Sequence, residues 1–210
     1  CMVLKSVLKG LNSMKIIWLI AIVIILFLLY KIRKWFREIP VRKAGKAGEL
    51  AAQEIIREVL HENDILLSNI CISYEGKETE LDNVVITDKG VFIIEVKNYS
   101  GRLVGKEDDF EWKKYKLSAG GNVYEKNVKN PIKQVKRQVY ILSHYLKSHG
   151  IDIWVEGYAL LLENNSPVHG ECVLESRKEI GTVIHRQGRN HLSKRMMEEV
   201  RVLLKRQVRK

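Results

Sequence analysis

Asp82 and the tripeptide Glu95-Val96-Lys97 carry the residue types and spacing that suit divalent-cation chemistry. They stand in two runs that read as strands, ELDNVVIT over Glu80–Thr87 and VFIIEVKN over Val91–Asn98, joined by an Asp88-Lys89-Gly90 turn. Side chains alternate along a strand, so Glu95 and Lys97 share one face while Val96 joins Phe92 and Ile94 on the other. A Glu and a Lys ending an otherwise apolar strand are costly to bury unless paired or liganded. Two convergent carboxylates offer hard oxygen ligands to Mg²⁺ or Mn²⁺. Such an ion can orient a phosphodiester and activate a water, while a nearby Lys holds that water or meets the developing negative charge. Register decides whether Asp82 takes part. With Thr87 opposite Gly90, Asp82 lies opposite Glu95; with Thr87 opposite Val91, it faces away unless a bulge restores it. The sequence permits both, and an ordinary cross-strand ion pair at a solvated strand end is the plainer alternative.

The elements that must position these groups follow from periodicity. AGKAGELAAQEIIREVLH over 44–61 reads as a helix with an apolar face of Leu50, Ile55, Ile56, Val59 and Leu60. On it, Glu49 shares a side with Ala52 and Ile56, or is simply a first-turn acid favoured by the helix dipole. Residues 65–73 read as a strand, and 102–129 as short strand-like pieces with Gly-rich breaks. Asn130-Pro131 starts a helix that runs to about Ser148, striped by Ile132, Val135, Val139, Leu142 and Leu146. Gln134 lies partly off that stripe. Lys133, Lys136 and Arg137 beside it suit a phosphate backbone or form an ordinary solvated face. Ile153–Leu162 reads as a central strand, with further strands near 171–174 and 182–186 and a basic helix from Asn190 to about Arg206. The order α-β-β-β-α-β predicts an α/β fold, a mixed central sheet flanked by helices.

Composition narrows the function. The 210 residues are 46% hydrophobic, enough to fill a core, with net charge +11. Cys1, Cys71 and Cys172 suit neither a disulfide scaffold nor a zinc ribbon. The histidines at 61, 144, 149, 169, 185 and 191 are scattered and predict no ligand set, and no Gly-rich phosphate loop is present, so no nucleotide cofactor is expected. The charge is uneven: residues 1–46 carry +9, residues 47–188 carry −4, and residues 189–210 carry +6.

Residues 16–30 (IIWLIAIVIILFLLY) hold no charge, with Lys15 and Lys31 at the two ends. A bilayer span needs about 20 apolar residues, with about 17 as a lower bound, so this run is short. Snorkelling lysines and the interfacial Trp18, Tyr30 and Trp35 extend it. The following KIRKWFREIPVRK offers no small-residue cleavage site, so the segment reads as an uncleaved, single-pass membrane anchor. Seven basic residues on its C-terminal side against three on the other place the globular part in the cytoplasm. The basic stretch also suits anionic lipid headgroups. Cys1 before Met2 reads as a reading-frame artefact. The expected segments are a short N-terminal piece (1–15), the anchor (16–30), a basic juxtamembrane linker broken at Pro40 (31–43), the globular domain (44–188) and a basic C-terminal helix (189–210).

Gly48-Glu49, the stretch LDNVVITDKGVFIIEVKNYSG over 81–101, Trp112, and Asn130-Pro131 with Gln134 together resemble the nuclease-related domain family, NERD. The resemblance covers roughly residues 44–160. It implies a PD-(D/E)XK restriction-endonuclease-like fold with an α-β-β-β-α-β core and metal-dependent action on nucleic acid, DNA above all. It makes Asp82 the metal-binding acid, Glu95 and Lys97 the (D/E)-x-K pair, Glu49 the acid of the N-terminal helix and Gln134 the polar residue of the following helix. Leu81 stands where the wider superfamily has Pro, a residue this family generally lacks, and Asn83 where a His is frequent. The resulting expectation is a membrane-anchored, Mg²⁺- or Mn²⁺-dependent nuclease acting on the cytoplasmic side. The alternatives are a non-catalytic DNA- or protein-binding module of the same fold, and a structural membrane protein with a coincidental E-x-K.

Overall fold

The computed structural model describes residues 2–118, 120–163, 168, 170–187 and 191–208, with the side chains of 2–17, 19 and 36–42 outside the description. The chain divides into two compact units, residues 1–44 and 45–210.

The first unit is helical, formed by the earlier part of α1 (Met2–Arg57). Its side chains are exposed at every position from Ile22 to Tyr30, a run of more than two turns, so apolar surface covers all sides of the helix there. Among the described residues no helix is long and apolar enough to cross a membrane. Residues 16, 17 and 19 of the apolar run lie outside the described side chains. The backbone stays helical through Pro40, where the sequence predicts a break. A proline removes one main-chain bond and bends a helix without having to end it.

The second unit is built on a five-stranded sheet ordered β1-β2-β3-β7-β8: Ile65–Tyr74, Lys77–Thr87, Gly90–Lys97, Val155–Leu161 and Val173–Leu174. The first three strands are antiparallel and the last two run parallel to β3, which makes the sheet mixed. One face packs on α2 (Pro131–Ser148) and α4 (Lys194–Lys205) through Ile86, Ile93, Leu142, Leu146 and Val200. The other packs on Ala52 and Ile56 of α1 and on α3 (Arg177–His185) through Phe92, Ile94, Tyr158 and Ile180. A central sheet flanked by helices, as expected, is what the sequence builds. Asn130 caps α2 by accepting from Ile132 N–H, and Pro131 occupies the first helical position. A separate three-stranded sheet, β4 (Arg102–Val104), β5 (Glu111–Leu117) and β6 (Val123–Lys129), rests on buried Leu103 and Trp112.

Two expectations change. Residues 182–186 are not a strand but the end of α3. Ser176 and Glu179 form a reciprocal capping box that starts this helix, and local capping overrides the β-leaning Thr182-Val183-Ile184. The basic tail helix starts later than expected, at Lys194 behind the Ser193 cap, and buries Met197, Val200 and Leu204.

Candidate active site

Strands β2 and β3 pair with Thr87 opposite Gly90 and Asn83 opposite Ile94, the first of the two registers. Past Asn83 the ladder stops. There the Asp82 carboxylate accepts the Val96 N–H at 2.8 Å, doing for β3 what a β2 carbonyl does further along. The strand on the other side explains the change. Asn69 adopts a left-handed φ of 56°, and β1 pairs with β2 at Ser68–Asn83 and Ile70–Leu81 but not between them. Side-chain alternation resets at this step: Leu67 and Ile70 both face the α2 side, as do Leu81 and Val84. Asp82 sits on the step, outside the ladder, with its side chain turned to β3.

Glu95 is 2% exposed. Its Oε1 accepts from Lys97 Nζ at 2.5 Å and from Gln134 Nε2 at 2.6 Å. Its Oε2 accepts from Gln138 Nε2 at 2.6 Å, and Gln138 also donates to the Glu80 carbonyl at 2.9 Å. Helix α2 reaches this close because residue 157 on β7 is glycine. A Cβ there would lie 2.5 Å from Val135 Cγ1 and 2.6 Å from Val139 Cγ2. Gly48 performs the same service for α1, since a Cβ would come within 2.7 Å of Asn98 Cβ at the end of β3. Glu49, the next residue, thereby feels the charges of Glu80 and Glu95.

These surroundings set the protonation states. Burial first, then the Glu95 charge, push the Asp82 carboxyl from 3.8 up to about 7, against the pull of Val96 N–H and Lys97. Burial works against a charged Lys97, but Glu95 more than offsets it and its affinity for the proton rises. Burial, then Glu80 and Glu95, raise Glu49. Three acids thus surround one ammonium, with an excess of negative charge where burial opposes it. A divalent cation relieves that excess. Asp82 Oδ1 takes no part in the Val96 bond and Glu95 Oε2 accepts from Gln138 alone, so these two oxygens and the Glu49 carboxylate are the ones that could face an ion. The donor set is all oxygen, as Mg²⁺ and Mn²⁺ prefer.

The structure brings all five residues singled out in the sequence to one end of the β2–β3 pair. Gln134 holds Glu95. Lys136 is tied to Glu107 and Arg137 to the Glu78 carbonyl, which leaves that helix face less open to phosphate than its composition suggests. Sequence reasoning missed Gln138, whose i+4 relation to Gln134 on a helix facing the E-x-K strand was the available signal. It also missed Tyr99, half-buried near Lys97 and stacked under Lys114, whose ammonium lies 5.5 Å from the ring centroid.

The histidines are not all scattered. His61, Asp64 and His185 offer ligand atoms within 4.8 Å of one another, a cluster able to hold a metal ion. His169 lies outside the described residues.

Over 90 residues the chain is 32% identical to an uncharacterized protein of Bacillus anthracis, covering 41% of this chain and 42% of that one. The chain thus spans less than half the length of that relative. No solved structure matches it. Residues 44–162 match the family described as nuclease-related domain, and the match takes in both strands of the acidic site and the helix that supports it. The chain belongs to the NERD family, in the PD-(D/E)XK-like nuclease superfamily.

Proposed function

We propose that the protein is a membrane-anchored, divalent-metal-dependent nuclease that hydrolyses phosphodiester bonds of DNA on the cytoplasmic side. The convergence of Asp82, Glu95 and Lys97 at one end of the β2–β3 pair carries this reading. Asp82 and Glu95, with Glu49 as a third acid, would hold Mg²⁺ or Mn²⁺. When bound, the ion supplies positive charge to the phosphate and lowers the pKa of water. Lys97, kept charged by Glu95, directs its ammonium at the attacking water and at the charge that builds on phosphorus oxygens. Gln134 and Gln138 fix the Glu95 carboxylate from both sides so that neither oxygen turns away.

The small sheet supports a polyanionic substrate. Lys114 and Lys126 stand directly opposite each other, an arrangement that like charges disfavour. Burial, then Lys116 and Lys126, press the Lys114 ammonium to give up its proton. A phosphate backbone relieves that repulsion, and Tyr99 links the basic row to Lys97.

Anchoring rests on the apolar run at 16–30, exposed on all sides over Ile22–Tyr30, and orientation on the basic 31–43 stretch, which suits anionic lipid headgroups. The decisive experiment is cleavage of plasmid DNA by the full-length chain in detergent micelles, with Mg²⁺, Mn²⁺ or EDTA. Metal-dependent cutting by the parent that is lost in Asp82→Asn and Lys97→Met supports the proposal. Cutting by both variants at the parent rate sinks it. DNA binding without cleavage in either metal favours the tethered, non-catalytic module.

A further inference from the structure

At the other end of the β2–β3 hairpin from the acidic site lie His61, Asp64 and His185. Thr87 lies five residue steps along the strand from Asp82, about 17 Å at roughly 3.3 Å per step. The cluster is assembled from two places: His61 and Asp64 in the segment joining α1 and β1, and His185, the last residue of α3. A tight turn fixes Asp64, with its N–H bonded to the His61 carbonyl at 3.0 Å and its Oδ2 accepting the His61 N–H at 2.7 Å. The Asp64 side chain is 6% exposed and that of His185 18%.

His185 stands between two hydrogen-bond acceptors. Nδ1 lies 3.1 Å from the Gly181 carbonyl and Nε2 lies 2.8 Å from Asp64 Oδ2. Both neighbours are acceptors, and a neutral imidazole has one N–H to donate. With Nδ1–H given to Gly181, the Nε2 lone pair faces a carboxylate lone pair. A metal ion between them would satisfy both lone pairs. A third donor lies close by: the His61 ring is stacked on His185 at 3.7 Å between centroids, with a nitrogen within 4.8 Å of both other ligand atoms. Its lone pair lies in the ring plane, so the exposed His61 side chain has to turn out of the stack to join the ion. The backbone carbonyl behind Nδ1 is the outer partner that metal-bound histidines characteristically have, fixing the tautomer so that Nε2 is the ligating atom.

We propose that His61, Asp64 and His185 form a second metal site, distinct from the acidic one, for a borderline transition ion of the Zn²⁺ class. Two imidazoles and one carboxylate are the three-ligand set of open zinc sites, whereas the Asp82–Glu95 site offers oxygen alone. The adjoining cavity of about 450 Å³, lined also by Asp88 and His191, leaves the fourth position to water or a small ligand. The ion clasps the end of α3 to the segment joining α1 and β1, so it ties together elements distant in sequence. Its effect is on the stability of this end of the domain, and it holds whether or not the acidic site cleaves DNA.

The test uses the full-length chain in micelles, stripped of metal and titrated with Co²⁺ alone. One equivalent is expected to give the visible d–d absorption of a low-coordinate N/O site, bleached by added Zn²⁺. His61→Ala, an exposed position whose change leaves the fold intact by far-UV circular dichroism, should weaken Co²⁺ binding at least about tenfold, as should His185→Gln. Asp82→Asn should leave the signal unchanged. Zn²⁺ should raise the melting temperature of the parent but not of His61→Ala. Parent-like Co²⁺ binding by His61→Ala and His185→Gln overturns the proposal, as does a signal that disappears with Asp82→Asn.

Discussion

To hold a metal ion as proposed, Asp82 must be charged where burial and Glu95 both oppose charge, and the consequences are measurable. Its carboxyl holds a proton up to about pH 7 in the folded chain, against 3.8 ordinarily. Below the lower value both folded and unfolded chains are protonated. Between the two values the folded chain keeps a proton that the unfolded chain has lost, so metal-free stability falls as pH rises through this window. Asp82→Asn has no proton to lose, and its denaturation profile should be flatter over the same range. Mg²⁺ must displace that proton, so its affinity should climb by up to about tenfold per pH unit below 7 and level off above. A thermal-shift titration at several pH values reads this directly, and a pH-independent affinity would contradict it. Gln138 makes a second prediction. Gln138→Leu leaves Glu95 Oε2 without its donor, and hydrogen bonds to charged groups are worth about 1.5–3 kcal/mol. Chemical denaturation should show a loss of that size, accompanied by weaker Mg²⁺ binding.

Helix α3 and the small sheet make separate claims. Ser176→Ala breaks the capping box and should cost about 1 kcal/mol by denaturant titration, whereas a strand at 182–186 would be indifferent to it. For the small sheet, Lys126→Ala should weaken DNA binding regardless of sequence and lower the slope of log affinity against log salt by about one. An unchanged slope would remove Lys126 from the interface. How far each element was legible depends on how local its cause is. The helix beginning at Asn130-Pro131 was readable because cap and proline lie within two residues. Strands 80–87 and 91–98 were readable by alternation, but the sequence left two registers open, because the reset at Asn69 that frees Asp82 depends on a neighbouring strand. The strand reading of 182–186 rested on that stretch alone, whereas the Ser176–Glu179 cap that starts α3 lies upstream of it. Gln138 escaped notice because its partner Glu95 lies 43 positions away, and the Asp64–His185 contact spans 121.

For the whole molecule, the distribution of charge matters more than its total. The +11 is carried at the two ends while residues 47–188 are net −4, so the acidic site lies in the part of the chain least suited to attract DNA by long-range field alone. The membrane anchoring proposed above would offset this by restricting where the domain searches. If residues 16–30 anchor the chain, membranes washed in alkaline carbonate should retain it, and Ile24→Lys with Leu28→Lys should release most of it to the supernatant. Equal retention of parent and variant would show that something other than this segment holds the protein. Protease added to sealed, right-side-out cells should leave the domain intact.

The bond from Val96 N–H to Asp82 bears on how such a protein can change over evolutionary time. That carboxylate serves the backbone as well as any ion, so losing it costs the fold an acceptor even in a lineage that no longer cuts anything. A descendant released from selection for hydrolysis is therefore expected to drift at position 82 toward Asn or Ser, which still accept from an amide, and to avoid Ala. Lys97 has no such second duty to the main chain and should vary first. A retained polar residue at position 82 beside a lost lysine at 97 would mark retirement from catalysis rather than its survival.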